Sequence, residues 1–161
     1  MVVMEWDEMS GLFYEELEVG KTCEHSVRRT ITEFDNVLYC GLTMCLSPFY
    51  LDHEAAVQSK WKRPLVNPFL VLSNVIGMHV IEMTAGTTHG NLGMSELEFP
   101  NPVHPGDTIH SRTTIKSKRP SKSQKGAGIV IFLHEGVNQR GDVVMKCDRA
   151  ALMIMRDTVA A

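Results

Sequence analysis

The chain has 161 residues, 43% of them apolar and 22% charged, with a formal net charge of −3. That is enough apolar matter for one packed core and too little charge imbalance for a disordered chain or a nucleic-acid binder. The longest apolar stretch is broken by Asn74, Gly77 and His79, short of the ~20 residues a membrane span needs, and Met1–Ser10 carries Glu5, Asp7 and Glu8 in place of the basic segment of a secretory signal.

A cytoplasmic protein with neither a membrane nor a nucleic-acid partner is therefore expected. In chain order, Thr22–Thr30 alternates around Val27 and reads as a half-exposed strand. Thr32 follows as a helix N-cap, with Glu33 and Asp35 in the first turn, where acidic groups complement the helix dipole. Phe34, Val37, Leu38 and Leu42 recur at helical spacing and predict a helix to about Met44. Pro48 stops it, Ser47-Pro48 is an extended or turn dipeptide, and Asp52 caps a second short helix through Ala55, Ala56 and Gln58. Arg63-Pro64 and Asn67-Pro68 mark a loop, with Pro68 suited to the first turn of the next helix. From Phe69 the run FLVLSNVIGMHVIEMTAG is apolar nearly all round for four turns. It predicts a helix buried on every side and ended by Gly86.

Beyond Gly90 the texture becomes strand-like over Asn91–Phe99, Thr108–Ser117, Gly128–Val137 and Val143–Met155. Pro105-Gly106-Asp107 and Arg140-Gly141-Asp142 are turns by composition, and Lys118–Gly126 is a polar, basic loop. No repeat or boundary interrupts 1–161, so one domain with an ordered core over about 11–157 is expected. Helices followed by a run of strands indicate an α+β fold with an antiparallel sheet. One helix that is apolar all round is covered only if a curved sheet wraps it, which is the hot-dog arrangement. The sheet edge left bare favours a homodimer or a dimer-based oligomer.

Cys23, Cys40, Cys45 and Cys147 show no CxxC spacing, and His89, His104, His110 and His134 show no metal-like spacing. Reduced thiols and no metal or cofactor are expected. Ten methionines point to an adaptable core or a flexible apolar pocket.

Three stretches carry a family resemblance: LTMCLSPFYLD (42–52), NLGMSELEFPNPVHPGDT (91–108) and KRPSKSQKGAGIVIFLHEGVNQRGDVV (118–144), with RALMIMR near the C-terminus. Together they resemble the MaoC-like (R)-specific hydratases and dehydratases, and more narrowly their mesaconyl-CoA and itaconyl-CoA hydratase members. The resemblance implies a hot-dog dimer that binds acyl thioesters of coenzyme A or of an acyl carrier protein. It also implies a motif of the form Asp/Asn-x-Asn/Gln-Pro-x-His supplying an acid–base pair. Here the register reads Cys45-Leu46-Ser47-Pro48-Phe49-Tyr50, with Pro48 and Asp52 in place. Both catalytic positions are thus substituted: Cys45 stands for the acid or amide and Tyr50 for the histidine.

Hydration of an enoyl thioester needs a base for water, an acid for the α-carbon and donors for the developing enolate oxygen. An unshifted tyrosine near pH 10 is a poor base, and a cysteine at a helix C-terminus is poorly placed to become one. Cys45 is either a space-filling thiol or a nucleophile or base; Tyr50 is either a pocket-lining hydrogen-bonding aromatic or an acid. Asp52 and His53 form a possible replacement pair, although Asp52 also serves as a cap. Ser47, Pro48, Phe49, Asn67 and Phe69 are candidate substrate contacts, with backbone N–H groups near Phe69 for the oxyanion. His79 reads as a hydrogen-bonded core or pocket histidine. Lys118, Arg119, Lys122 and Lys125 are either a solvated face or, given the resemblance, contacts for coenzyme A phosphates. The expected function is a hydratase or dehydratase of a short enoyl or 3-hydroxyacyl group. The alternatives are a non-catalytic thioester-binding subunit that supports a partner chain, and a thioesterase using Glu54 or Glu82.

Overall fold

A computed structural model describes residues 11–156; the reading of Met1–Ser10 as lacking a signal lies outside the described residues. The strands are β1 (Thr22–Thr30), β2 (Thr88–Glu98), β3 (Thr108–Pro120), β4 (Ala127–Asn138) and β5 (Val143–Ile154). They form one antiparallel sheet in the order β1-β3-β4-β5-β2. Between β1 and β2 lie α1 (Glu33–Leu42), α2 (Pro48–Leu51), α3 (His53–Gln58) and α4 (Pro68–His79), the last running into a π-helical turn at Val80–Thr84. The sheet curls around α4, and this is the hot-dog fold.

Local chemistry sets the helix ends. Thr32 Oγ1 accepts the Asp35 N–H at 3.2 Å while the Asp35 carboxylate accepts the Thr32 N–H at 2.8 Å, a reciprocal cap on α1. Asp52 caps α3 by accepting the N–H groups of Glu54 and Ala55. Ser47 is extended and Pro48 opens α2, as a proline in a first turn should. The core divides along α4. Val71 and Val75 pack with Ile31, Ile109, Val144, Met145 and Cys147 at one end; Met83 packs with Leu17, Ile115, Phe132 and Met153 at the other.

Three expectations change. The helix from Pro68 is buried through Leu70, Val71, Val75, Met78 and His79, but Phe69, Ser73, Gly77 and Ile81 form an open stripe one helical turn apart, Phe69 at 52% and Ile81 at 65% exposure. Its all-round apolarity therefore exceeds what one sheet covers. Strand β2 begins at Thr88 rather than Asn91, because Gly90 and Gly93, at φ +151° and +157°, let the chain follow β5 through two irregularities. Lys118, Arg119 and Pro120 belong to β3 rather than to the loop, since the register with β4 continues to Pro120. Among the described residues no helix is long and apolar enough to cross a membrane.

Candidate functional site

The motif turn is held by one buried side chain. Asn36, on α1 and without exposure, donates Nδ2–H to the carbonyls of Tyr50 (3.3 Å) and Leu65 (3.0 Å) and accepts the Asn67 N–H at 2.8 Å. Three separate backbone segments therefore meet on one amide, with every bond donor to acceptor. Asn67 in turn caps α4 by accepting the Phe69 N–H at 2.9 Å, and its Nδ2 approaches Cys40 Sγ at 3.8 Å. The helix start expected to face an oxyanion is thus already satisfied. Pro68 has no N–H, Phe69 donates to the Asn67 side chain, and Leu70 and Val71 donate to the Asn67 carbonyl. A thioester oxygen there would have to displace the Asn67 cap.

Tyr50 forms part of the wall of a cavity of about 230 Å³, together with Trp61, Leu65, Pro68, Val71 and the segment 99–103. The two sides of this cavity are joined by the Val66 N–H to the Val103 carbonyl, 2.8 Å. Burial, and then the neighbouring Cys45 and Cys40, push the Tyr50 hydroxyl above its ordinary pKa, so it is protonated and a donor at neutral pH. Cys45 is half-buried behind it, after the C-terminal turn of α1, with its N–H bonded to the Cys40 carbonyl.

The other sequence-derived candidates do not converge on the cavity. Ser47 and the exposed Pro48 and Phe49 share the turn but not the wall; Phe69 turns outward against Phe99, with ring centroids 5.9 Å apart. Asp52 is occupied as a cap, and His53 is 63% exposed on α3, where it pairs with Glu33 at 2.5 Å. Lys118 donates to the carbonyls of Tyr14 and Glu15, Arg119 to that of Pro120, and Lys122 is exposed in the loop that follows. Lys118 lies ten residues along β3 from Thr108, on the order of 30 Å from the strand end that follows the cavity segment 99–103. Glu54 is exposed on α3, and Glu82 lies in the π-helical turn beyond the far end of α4 from Tyr50.

A second constellation was not visible in the sequence. Arg149, 1% exposed, donates Nε–H to His134 Nε2 (3.1 Å), Nη2–H to His79 Nε2 (2.6 Å) and Nη1–H to Asn91 Oδ1 (2.6 Å). Arginine can only donate, so both imidazoles accept at Nε2 and carry their proton on Nδ1. Both Nδ1–H groups point at Thr113 Oγ1, at 3.3 and 3.0 Å, which leaves the threonine hydroxyl to donate to His25 Nε2 at 2.9 Å. His25 is then a neutral Nδ1–H tautomer donating to Glu82 at 2.7 Å, while the other Glu82 oxygen accepts from Ser26. Burial and then the Arg149 guanidinium lower His134 to about 3; burial, and then His134 and Arg149, lower His79 as well. Cys23, His25 and Glu82 lie within 4.8 Å of one another, a set that could hold a metal by composition. However, the chain of donors places a proton on the His25 nitrogen that would have to bind it.

The sequence profile of the family described as "MaoC like domain" matches residues 15–135. The chain belongs to this family. It is 28% identical over 151 residues to mesaconyl-CoA hydratase of Cereibacter sphaeroides, covering 94% of this chain and 43% of that protein. It is 31% identical over 147 residues to β-methylmalyl-CoA dehydratase of Chloroflexus aurantiacus, covering 91% of this chain and 41% of that protein. This MaoC-like chain thus spans less than half the length of either relative. A solved MaoC-like dehydratase from Rhodospirillum rubrum superposes with a TM-score of 0.80 at 30% identity, over 91% of this chain and 99% of that one.

Proposed function

We propose that this MaoC-like chain is an acyl-CoA or acyl-carrier-protein hydratase/dehydratase acting on an enoyl or 3-hydroxyacyl thioester held in the Tyr50 cavity. The observation that carries this reading is Tyr50 itself. The residue at the motif's histidine position forms part of the wall of a preformed apolar cavity, with a hydroxyl that burial keeps protonated. A protonated phenol supplies what a developing enolate needs, a donor at the carbonyl oxygen or a proton for the α-carbon. Cys45 is the remaining ionisable group of the motif and the candidate base for water. The lysines and arginine at 118, 119 and 122 would reach coenzyme A phosphates only from a second subunit. Within one chain, Lys60, Lys62 and Arg63 flank the wall residue Trp61 in sequence. A homodimer covering the α4 stripe is part of this proposal.

A second reading, thioester binding without turnover in support of a partner chain, is favoured by the place of Cys45. It lies on the turn after α1 and does not line the cavity. A mass-spectrometric screen of the purified protein against enoyl-CoA and 3-hydroxyacyl-CoA thioesters separates the two. Turnover that falls at least 100-fold in Tyr50→Phe and in Cys45→Ala supports the enzyme. Binding with no turnover on any thioester removes the hydratase reading and leaves the subunit.

A further inference from the structure

The wall of the Tyr50 cavity carries more information than its position. Trp61, Val71, Phe99 and Val144 present apolar surface, and Pro100 and Pro102 stiffen one side. The polar side-chain groups in the wall are the Tyr50 hydroxyl, the Trp61 indole N–H and the Asn101 amide, which gives one of its two Nδ2 hydrogens to the Val143 carbonyl at 2.8 Å. Among the described residues, no lysine, arginine or histidine lines the cavity. Lys60, Lys62 and Arg63 are exposed on the neighbouring segment, with Lys60 Nζ lying 4.5 Å from the centre of the Trp61 ring.

We infer that the acyl group this cavity takes is uncharged and apolar, an aliphatic chain of a few carbons (straight or branched) or a single ring, and not a dicarboxylic one. The inference rests on the thioester reading above and specifies its substrate class. A carboxylate moved from water into such a wall would lose hydration and find a few neutral donors and no cation to balance its charge. An alkyl or aryl group gains from every apolar atom it covers. The names of the two curated relatives denote acyl groups bearing a second carboxylate, so this cavity separates the chain from them in specificity. Size agrees with the chemistry. An apolar cavity of roughly 150 Å³ accepts a benzene ring, and the 230 Å³ here leaves room for a few atoms more.

The test is titration calorimetry of the intact protein with 2-hexenoyl-CoA, mesaconyl-CoA and free coenzyme A. The result expected is at least tenfold tighter binding of hexenoyl-CoA than of mesaconyl-CoA, with mesaconyl-CoA no better than free coenzyme A. Mesaconyl-CoA binding as tightly as hexenoyl-CoA, both above free coenzyme A, overturns the inference and leaves the thioester reading standing. If neither thioester exceeds free coenzyme A, the thioester reading fails and the inference falls with it. Trp61→Arg places a cation in the wall at a half-exposed position. It is expected to shift the preference toward mesaconyl-CoA at least tenfold; an unchanged ratio assigns discrimination to residues outside the cavity and overturns the inference.

Discussion

At the scale of single residues, the site depends on groups of two kinds. Cys45 and Tyr50 stand at the chemical positions, and restoring the family's pattern there is an informative change. Cys45→Asp combined with Tyr50→His is expected to raise hydration of an enoyl-CoA by 10²-fold or more, because a general base that titrates near neutrality contributes about that much. No gain in a stopped assay would show that more than the motif has been lost. Asn36 is of the second kind, touching no ligand and holding Tyr50, Leu65 and Asn67 together. Asn36→Ala leaves two carbonyls and an N–H without partners and should cost about 2–4 kcal/mol in urea unfolding. A cost below about 1 kcal/mol would contradict the role given to it. The motif positions were legible in the sequence because they are contiguous. Asn36 was not, since its partners lie 14 to 31 positions away and a buried amide inside a helical pattern carries no local mark.

At the scale of elements, α4 and its contacts show what periodicity records and what it omits. The sequence pattern predicted the helix, its proline start and the four later strands. It could not show that one face of the helix stays open in a single chain, because apolarity alone does not say what covers it. Two glycines test this packing from opposite sides. A Cβ on Gly136 of β4 would sit 2.7 Å from Val75 Cγ2, and Val75 is fully buried and cannot retreat. Gly136→Ala should therefore destabilise by roughly 1–3 kcal/mol. Gly77 lies on the open stripe, and a methyl group added there would meet nothing within 4 Å. In an isolated subunit Gly77→Ala would stabilise by up to about 1 kcal/mol through helix propensity, so the homodimer proposed to cover the stripe predicts that this gain is not seen. Thermal unfolding of both variants checks the pair; the full gain in Gly77→Ala would contradict a second subunit packed on the stripe.

At the scale of the whole molecule, the two apolar clusters are separated by a belt of polar groups running from Arg149 to Glu82. Two of its histidines, His79 and His134, accept hydrogen bonds from a buried cation and cannot take a proton at Nε2 without breaking that contact. Their folded pKa values lie below the unfolded value of about 6.5, so below that pH the unfolded chain binds protons that the folded chain refuses. Stability must fall as the pH falls, by about 3 kcal/mol in all between pH 6.5 and pH 5 for two such histidines. Asp107 does not share this window. Burial opposes its ionisation, but hydrogen bonds from Arg140, Gln139 and the His104 N–H bring it down to about 2, so it stays charged throughout. A thermal midpoint that is flat from pH 7 to pH 5 would contradict the tautomers assigned to the belt, and Arg149→Met should flatten the slope. The fold was readable from the order of helices and strands. The belt was not, because Arg149, His134, Thr113, His79 and His25 come from five different elements and meet only when the sheet has closed around α4.

The central claim is that the Tyr50 cavity is where this chain handles an acyl thioester. Incubation of the purified protein with 2-hexenoyl-CoA, followed by mass spectrometry for 3-hydroxyhexanoyl-CoA, tests it most directly when wild type and Tyr50→Phe are run side by side. Product in the wild type that is lost in the phenylalanine variant is the predicted result. Equal turnover by both proteins would contradict the claim by placing the chemistry elsewhere.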